Sequence, residues 1–195
     1  MSEETIVSRP MPSRPSNGLL AWLSTVGYLS MQYNLDCSLS IEVRPGELGA
    51  VLWSASASWG QNTEQISRRP TLPAALRDLW REVDRNHVIF ESREALLRRP
   101  VNYSDDEWLD ADTQKLLDRT LEIASSVYGS DWNLTLIYRP VELPSERFVA
   151  QLAARQGTVS SAGQGAGLRQ ALQDLFRSAA PDFVARAVRN VDSPD

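Results

Sequence analysis

Residues 39–48 read LSIEVRPGEL and residues 134–143 read LTLIYRPVEL, so the chain writes nearly the same stretch twice. Arg44-Pro45 aligns with Arg139-Pro140, and Glu47-Leu48 with Glu142-Leu143, at an offset of 95 positions (139 less 44). One helix later the offset is 96 (171 less 75), where Ala75-Leu76-Arg77-Asp78-Leu79-Trp80 faces Ala171-Leu172-Gln173-Asp174-Leu175-Phe176. Self-similarity over such a length predicts two copies of one small fold, a tighter constraint than any local propensity.

Each copy has the same order of elements. Ser16-Asn17-Gly18 caps a helix over about 18–34, whose Leu19, Trp22, Leu23, Val26, Leu29 and Tyr33 recur at three- and four-residue steps. Cys37, Leu39, Ile41 and Val43 alternate with polar residues, the period of a half-buried strand. Arg44-Pro45-Gly46-Glu47 is a turn, because Pro presets φ and Gly permits positive φ. A second strand over 49–60 places Val51, Trp53, Ala55, Ala57 and Trp59 on one face, and a short third covers Thr63–Ser67. Thr71 then caps a helix to about Asp84, with Pro73 in its first turn. The second copy repeats this with a helix over 112–128, strands over 132–139 and 146–156, and a helix over 166–179. The expected fold is therefore α+β in two layers, a tandem duplication of an α-β-β-(β)-α unit. Antiparallel sheets carry helices on one face in a pseudo-twofold arrangement.

The expected boundaries are a proline-bearing tail over 1–16, repeat 1 over 17–84, a connection over 85–111, repeat 2 over 112–181 and a terminal stretch over 182–195. Within the connection, His87–Phe90 reads as a strand and Ser92–Arg99 as a short helix; 182–190 reads as a separate terminal helix. A formal charge of −5 argues against general polyanion binding. Cys37 is alone, so no intrachain disulfide forms, which fits a reducing cytoplasm. No run of about 20 apolar residues is present and the start lacks a secretory pattern, so membrane insertion and export are not expected.

Few residues carry distinctive chemistry. Arg44, Glu47, Arg139 and Glu142 sit at the repeated turn and could offer two basic tips to a partner, or pair locally. Trp53 and Trp59 share a strand face, where they fill a core or form an aromatic platform. The stretch Gly163-Gln164-Gly165-Ala166-Gly167 precedes a helix as a phosphate loop does, but it lacks the Gly-Lys-Ser/Thr ending and reads as a flexible loop. Asp105, Asp106, Glu107, Asp110 and Asp112 lack calcium-loop spacing and read as helix-capping carboxylates. With one histidine (His87) and one cysteine, a zinc site is not expected, and a Cys37–His87 nucleophile pair conflicts with the buried setting of Cys37. No metal or cofactor is expected.

The α-β-β-β-α order resembles the double-stranded RNA-binding domain in topology alone. That family carries a Lys-rich start to its last helix, whereas the matching stretches here, Ser67-Arg68-Arg69-Pro70 and Gly163-Gln164-Gly165-Ala166, hold no lysine. The resemblance implies phosphate contacts through Arg68 and Arg69; nucleic-acid binding would use these with Arg98, Arg99 and neighbouring aromatics. The leading expectation is a non-catalytic protein–protein interaction module, an accessory or adaptor subunit with a protein partner or a homo-oligomeric state. Nucleic-acid binding is the alternative, and a metal-dependent hydrolase using the acidic residues of 105–112 ranks third.

Overall fold

The computed structural model describes residues 15–34, 36–86, 99, 103–154 and 160–191. These residues form a six-stranded, wholly antiparallel sheet in the order β3-β2-β1-β4-β5-β6 and four α-helices, an α+β fold. The strands are β1 (Cys37–Pro45), β2 (Val51–Trp59), β3 (Asn62–Arg69), β4 (Trp132–Tyr138), β5 (Phe148–Ala154) and β6 (Ser160–Gly165). The helices are α1 (Gly18–Tyr33), α2 (Leu72–Asn86), α3 (Ala111–Tyr128) and α4 (Leu168–Val191).

A single sheet results because β1 pairs with β4. Its register centres on Ile41↔Leu136, residues that are themselves 95 apart, and Leu39↔Tyr138 mirrors Val43↔Leu134. The ladder thus maps onto itself when the two segments are exchanged. The flanking pairs keep the offset of 95, with Cys37 opposite Trp59 and Trp132 opposite Ala154. The change to 96 has a structural origin in two steps. Ser58 pairs with Thr63 but Ala153 with Ser160, so the second hairpin is longer by two residues (160 less 63 is 97). A register shift between Trp53 and Ala55, beside Arg68 at φ 58°, then gives β3 one residue more than β6. Trp53↔Arg69 and Phe148↔Gly165 restore the relation at 96.

All four helices lie on one face. Leu39, Ile41 and Val43 of β1, Trp53, Ala55 and Ala57 of β2, and Leu134 and Leu136 of β4 are buried beneath them. The alternate residues Ser38, Ser40, Ser56, Ser58 and Thr135 form the uncovered face, as period-2 patterning dictates. In the helix layer, Trp22 of α1 meets Trp80 of α2 edge-on, with ring centroids 5.2 Å apart, and its Nε1–H donates to the Leu76 carbonyl at 3.0 Å. Asn17 caps α1 by accepting from the Leu20 amide, and Asp110 caps α3 by accepting from the Thr113 amide.

Two expectations change. The glycine stretch is not a loop: Gly163 and Gly165 belong to strand β6. A Cβ on Gly163 would stand 2.0 Å from the Leu175 amide nitrogen and 2.3 Å from the Ala171 carbonyl oxygen, so the backbone of α4 rests directly on the strand. The separate helix over 182–190 is instead the continuation of α4, which passes through Pro181. Proline removes one intrahelical donor, and the ladder on either side carries the helix across. The expected elements at His87–Phe90 and Ser92–Arg99 lie outside the described residues, apart from Arg99 itself.

Candidate interaction groove

The start of α1 is held by the segment that precedes α3. Gly18 packs so closely on the Trp108 ring that an added Cβ would come within 2.7 Å of it. The Leu19 amide donates to the Trp108 carbonyl at 3.1 Å, and the Tyr103 hydroxyl donates to the Pro15 carbonyl at 2.6 Å. Arg77 of α2 secures the same segment: its guanidinium lies 5.5 Å from the Trp108 ring centroid and bonds the Tyr103 carbonyl and the Asp105 carboxylate. The helix is thereby fixed with one flank against the core and the opposite flank outward.

That outer flank is apolar. Leu20 is 42% exposed and Met31 81% exposed, and they border a groove of about 730 Å³ running along α1. Its far wall is built from Tyr138 and Phe148, whose rings lie 4.8 Å apart, and from Leu168 at the start of α4. Its floor opens at Gly27, where the nearest atoms to an added Cβ are the Tyr138 hydroxyl at 3.6 Å and Pro140 at 4.0 Å. Pro140 belongs to the repeated turn, in which Val141 and Leu143 are exposed. Scattered exposed apolar residues need no explanation, but a contiguous set around a concavity does.

Two arginines stand in the groove with different surroundings. Arg169 is bound by carboxylates, with Nη2 2.6 Å from Asp110 and 3.1 Å from Asp112. The Thr113 hydroxyl and amide, together with Arg169, draw the Asp110 carboxyl down to about 2 against the opposing effect of burial. Arg147 has no ion pair among the described residues; its Nε donates only a long 3.4 Å bond to the Glu142 carbonyl. Burial raises the Tyr138 phenol, and the nearby Arg147 charge partly offsets this.

The residues singled out from sequence are dispersed. Arg44 and Arg139 lie just beyond opposite ends of the β1–β4 ladder, roughly 20 Å apart at 3.3 Å per residue, so the two turns cannot grip one small group. Neither pairs with its Glu47 or Glu142 among the described residues. Trp53 is 6% exposed in the core, and Trp59 packs against that core, so both occupy the helix-covered face and form no open platform. Arg69 is engaged by Asp78 at 2.6 Å, while Arg68 projects outward from the bulge. Arg99 lies 4.0 Å from Asp84, and Arg98 and His87 are outside the described residues.

The acidic run does structural work. Ser104 and Glu107 form a capping box, Asp105 binds Arg77, and Asp110 and Asp112 bind Arg169. Among the described residues no three His, Cys, Asp or Glu side chains are grouped to hold a metal ion. Cys37 is buried, and burial together with the Asp36 charge pushes its thiol up, away from the reactive thiolate. No described helix is long and apolar enough to cross a membrane.

The groove was the feature least visible beforehand. Its signal lay in α1, where Leu20, Tyr28 and Met31 add a second apolar flank to the stripe of Leu19, Trp22 and Val26. No family model, no curated protein and no solved structure matches this chain.

Proposed function

We propose that the chain is a non-catalytic protein–protein interaction module that receives an apolar segment of a partner along α1. The observation that carries this reading is the groove itself. It joins exposed Leu20 and Met31 to the Tyr138–Phe148 wall, with Arg147 lacking an acidic partner among the described residues. Tyr, Met and Arg are the residue types that concentrate at interface centres. A partner carboxylate positioned against Arg147 would add a charge-assisted bond inside a largely apolar setting. On this reading the sequence repeat is a tandem duplication that supplies the scaffold, and function resides where the copies differ. An accessory or adaptor role in the cytoplasm is the setting that fits it.

Affinity capture from the native host, with and without nuclease, tests the proposal when wild type is run beside the double variant Leu20→Asp/Met31→Asp. A protein recovered by wild type, retained after nuclease and lost with the variant is the expected result. Recovery of nucleic acid alone would overturn it, as would recovery of the same proteins by both forms. Both substitutions fall on exposed positions, so the variant should unfold within about 0.5 kcal/mol per site of wild type.

A further inference from the structure

The two edges of the sheet differ in a way that bears on self-association. At β6 one stripe of α4, spaced four residues apart, bonds two of the backbone groups directed away from the sheet and one just past the strand. Gln170 Oε1 accepts from the Ala166 amide at 3.1 Å just past the strand, Asp174 Oδ2 from the Gln164 amide at 3.1 Å, and the Ser178 hydroxyl donates to the Ala162 carbonyl at 2.9 Å. An edge partly bonded by its own helix is a poorer template for another strand.

At β3 the matching cover is missing. The two-residue turn Gly60-Gln61, with Gly60 at φ 58°, makes Trp59 and Asn62 a bonded pair. Alternation then directs the backbone groups of Thr63, Gln65 and Ser67 outward. Among the described residues, the amides and carbonyls of Thr63 and Gln65 have no hydrogen-bond partner, and the Ser67 carbonyl has only a 3.3 Å bond from Arg69. Asp78, which aligns with Asp174, is drawn instead to Arg69 at 2.6 Å and Arg81 at 2.9 Å. Asn62, Thr63, Gln65 and Ser67 are uncharged, Glu64 lies with Ile66 on the helix-covered side, and neither proline nor lysine occurs before the bulge at Arg68, which ends the pairable stretch.

We infer that this edge pairs with the same edge of a second copy of the chain, antiparallel about a twofold axis at Gln65. Thr63 then faces Ser67 of the second copy and Gln65 faces its own counterpart, which brings all the outward groups of the stretch into bonded pairs. The charges of α2 beside the edge favour a copy of the chain over a strand of one sign. Arg81 and Arg85 alternate there with Asp78 and Glu82, and a twofold axis sets that mixed row against its own reverse. This dimer uses neither the groove nor its residues and stands apart from the proposed partner site.

Sedimentation equilibrium of the full chain tests it. Wild type should approach twice the 21.8 kDa chain mass as concentration rises. Gln65→Pro removes an outward N–H while sparing the ladder to β2, and Gln65→Lys sets two ammonium groups opposite each other across the axis. Both variants should halve the mass to 21.8 kDa, with circular dichroism and thermal midpoint of Gln65→Lys matching wild type. A wild type that remains at 21.8 kDa throughout, or a dimer that survives both substitutions, overturns the inference.

Discussion

Replacing Gly163 by alanine should destabilise this protein far more than one added methyl group suggests. The new Cβ would lie 2.0 Å from the Leu175 nitrogen, and ordinary contact begins near 3.4 Å, so α4 would have to retreat from β6 by about 1.4 Å (3.4 less 2.0). The obstacle is helix backbone, which cannot rotate aside as a side chain can. Retreat by that amount also stretches the 3.1 Å Asp174–Gln164 and 2.9 Å Ser178–Ala162 bonds beyond hydrogen-bonding range. Overpacking costs about 1–3 kcal/mol, and each lost bond adds about 1 kcal/mol. The total is about 3–5 kcal/mol, a large part of a domain stability of about 5–15 kcal/mol. At roughly 2–4 °C per kcal/mol for this chain length, the thermal midpoint should fall by at least about 6 °C. Gly167 is the internal control, since an added Cβ there meets nothing within 4 Å; Gly167→Ala should cost no more than about 1 kcal/mol, the effect of a poorer N-cap residue on α4. Thermal and urea unfolding followed by circular dichroism decide the matter. A Gly163→Ala protein within about 0.5 kcal/mol of wild type would refute the close helix–strand contact and restore the flexible-loop reading.

Three further outcomes follow from specific contacts. The Asp110 carboxyl titrates near 2, below its ordinary 3.8, so its stabilising effect is complete above about pH 4 and is lost as pH falls toward 2. Asp110→Asn keeps the cap and should flatten that acid limb of the stability–pH curve, whereas Asp110→Ala should cost about 1 kcal/mol at neutral pH. Arg77→Ala, which strips the Trp108 ring, the Tyr103 carbonyl and Asp105 of a shared partner, should lower stability by about 1–3 kcal/mol in urea unfolding; Arg77→Lys should recover only part, because an ammonium cannot reproduce the planar fork. Cys37 should resist thiol reagents in the native protein and react on unfolding, as followed by mass spectrometry; rapid native labelling would contradict its buried setting.

Local patterns in the sequence carried most of the fold. The alternation of Cys37, Leu39, Ile41 and Val43 appears in β1 as alternating burial, and Asn17 and Thr71 stand where α1 and α2 begin. The join between β1 and β4 was not legible, because pairing between strands distant in sequence leaves no mark on either. Gly163 and Gly165 read as a loop because glycine weakens a strand; the reason for them, a helix backbone resting on that strand, depends on residues that meet only after folding. The helices over 166–179 and 182–190 were read as separate, yet α4 continues through Pro181, since one absent donor does not outweigh the helix around it. The groove was half legible. Leu20 and Met31 were visible as apolar, but the Tyr138–Phe148 wall comes from strands more than 100 positions away (138 less 31 is 107).

Amide hydrogen exchange of the chain with and without a captured partner is the most direct measurement of the central proposal. Binding along α1 should slow exchange over Leu19–Met31 and around Tyr138–Phe148, and leave the amides of β2 unchanged. Protection confined to the uncovered sheet face or to the turn that follows Arg44-Pro45, with α1 unaffected, would contradict it.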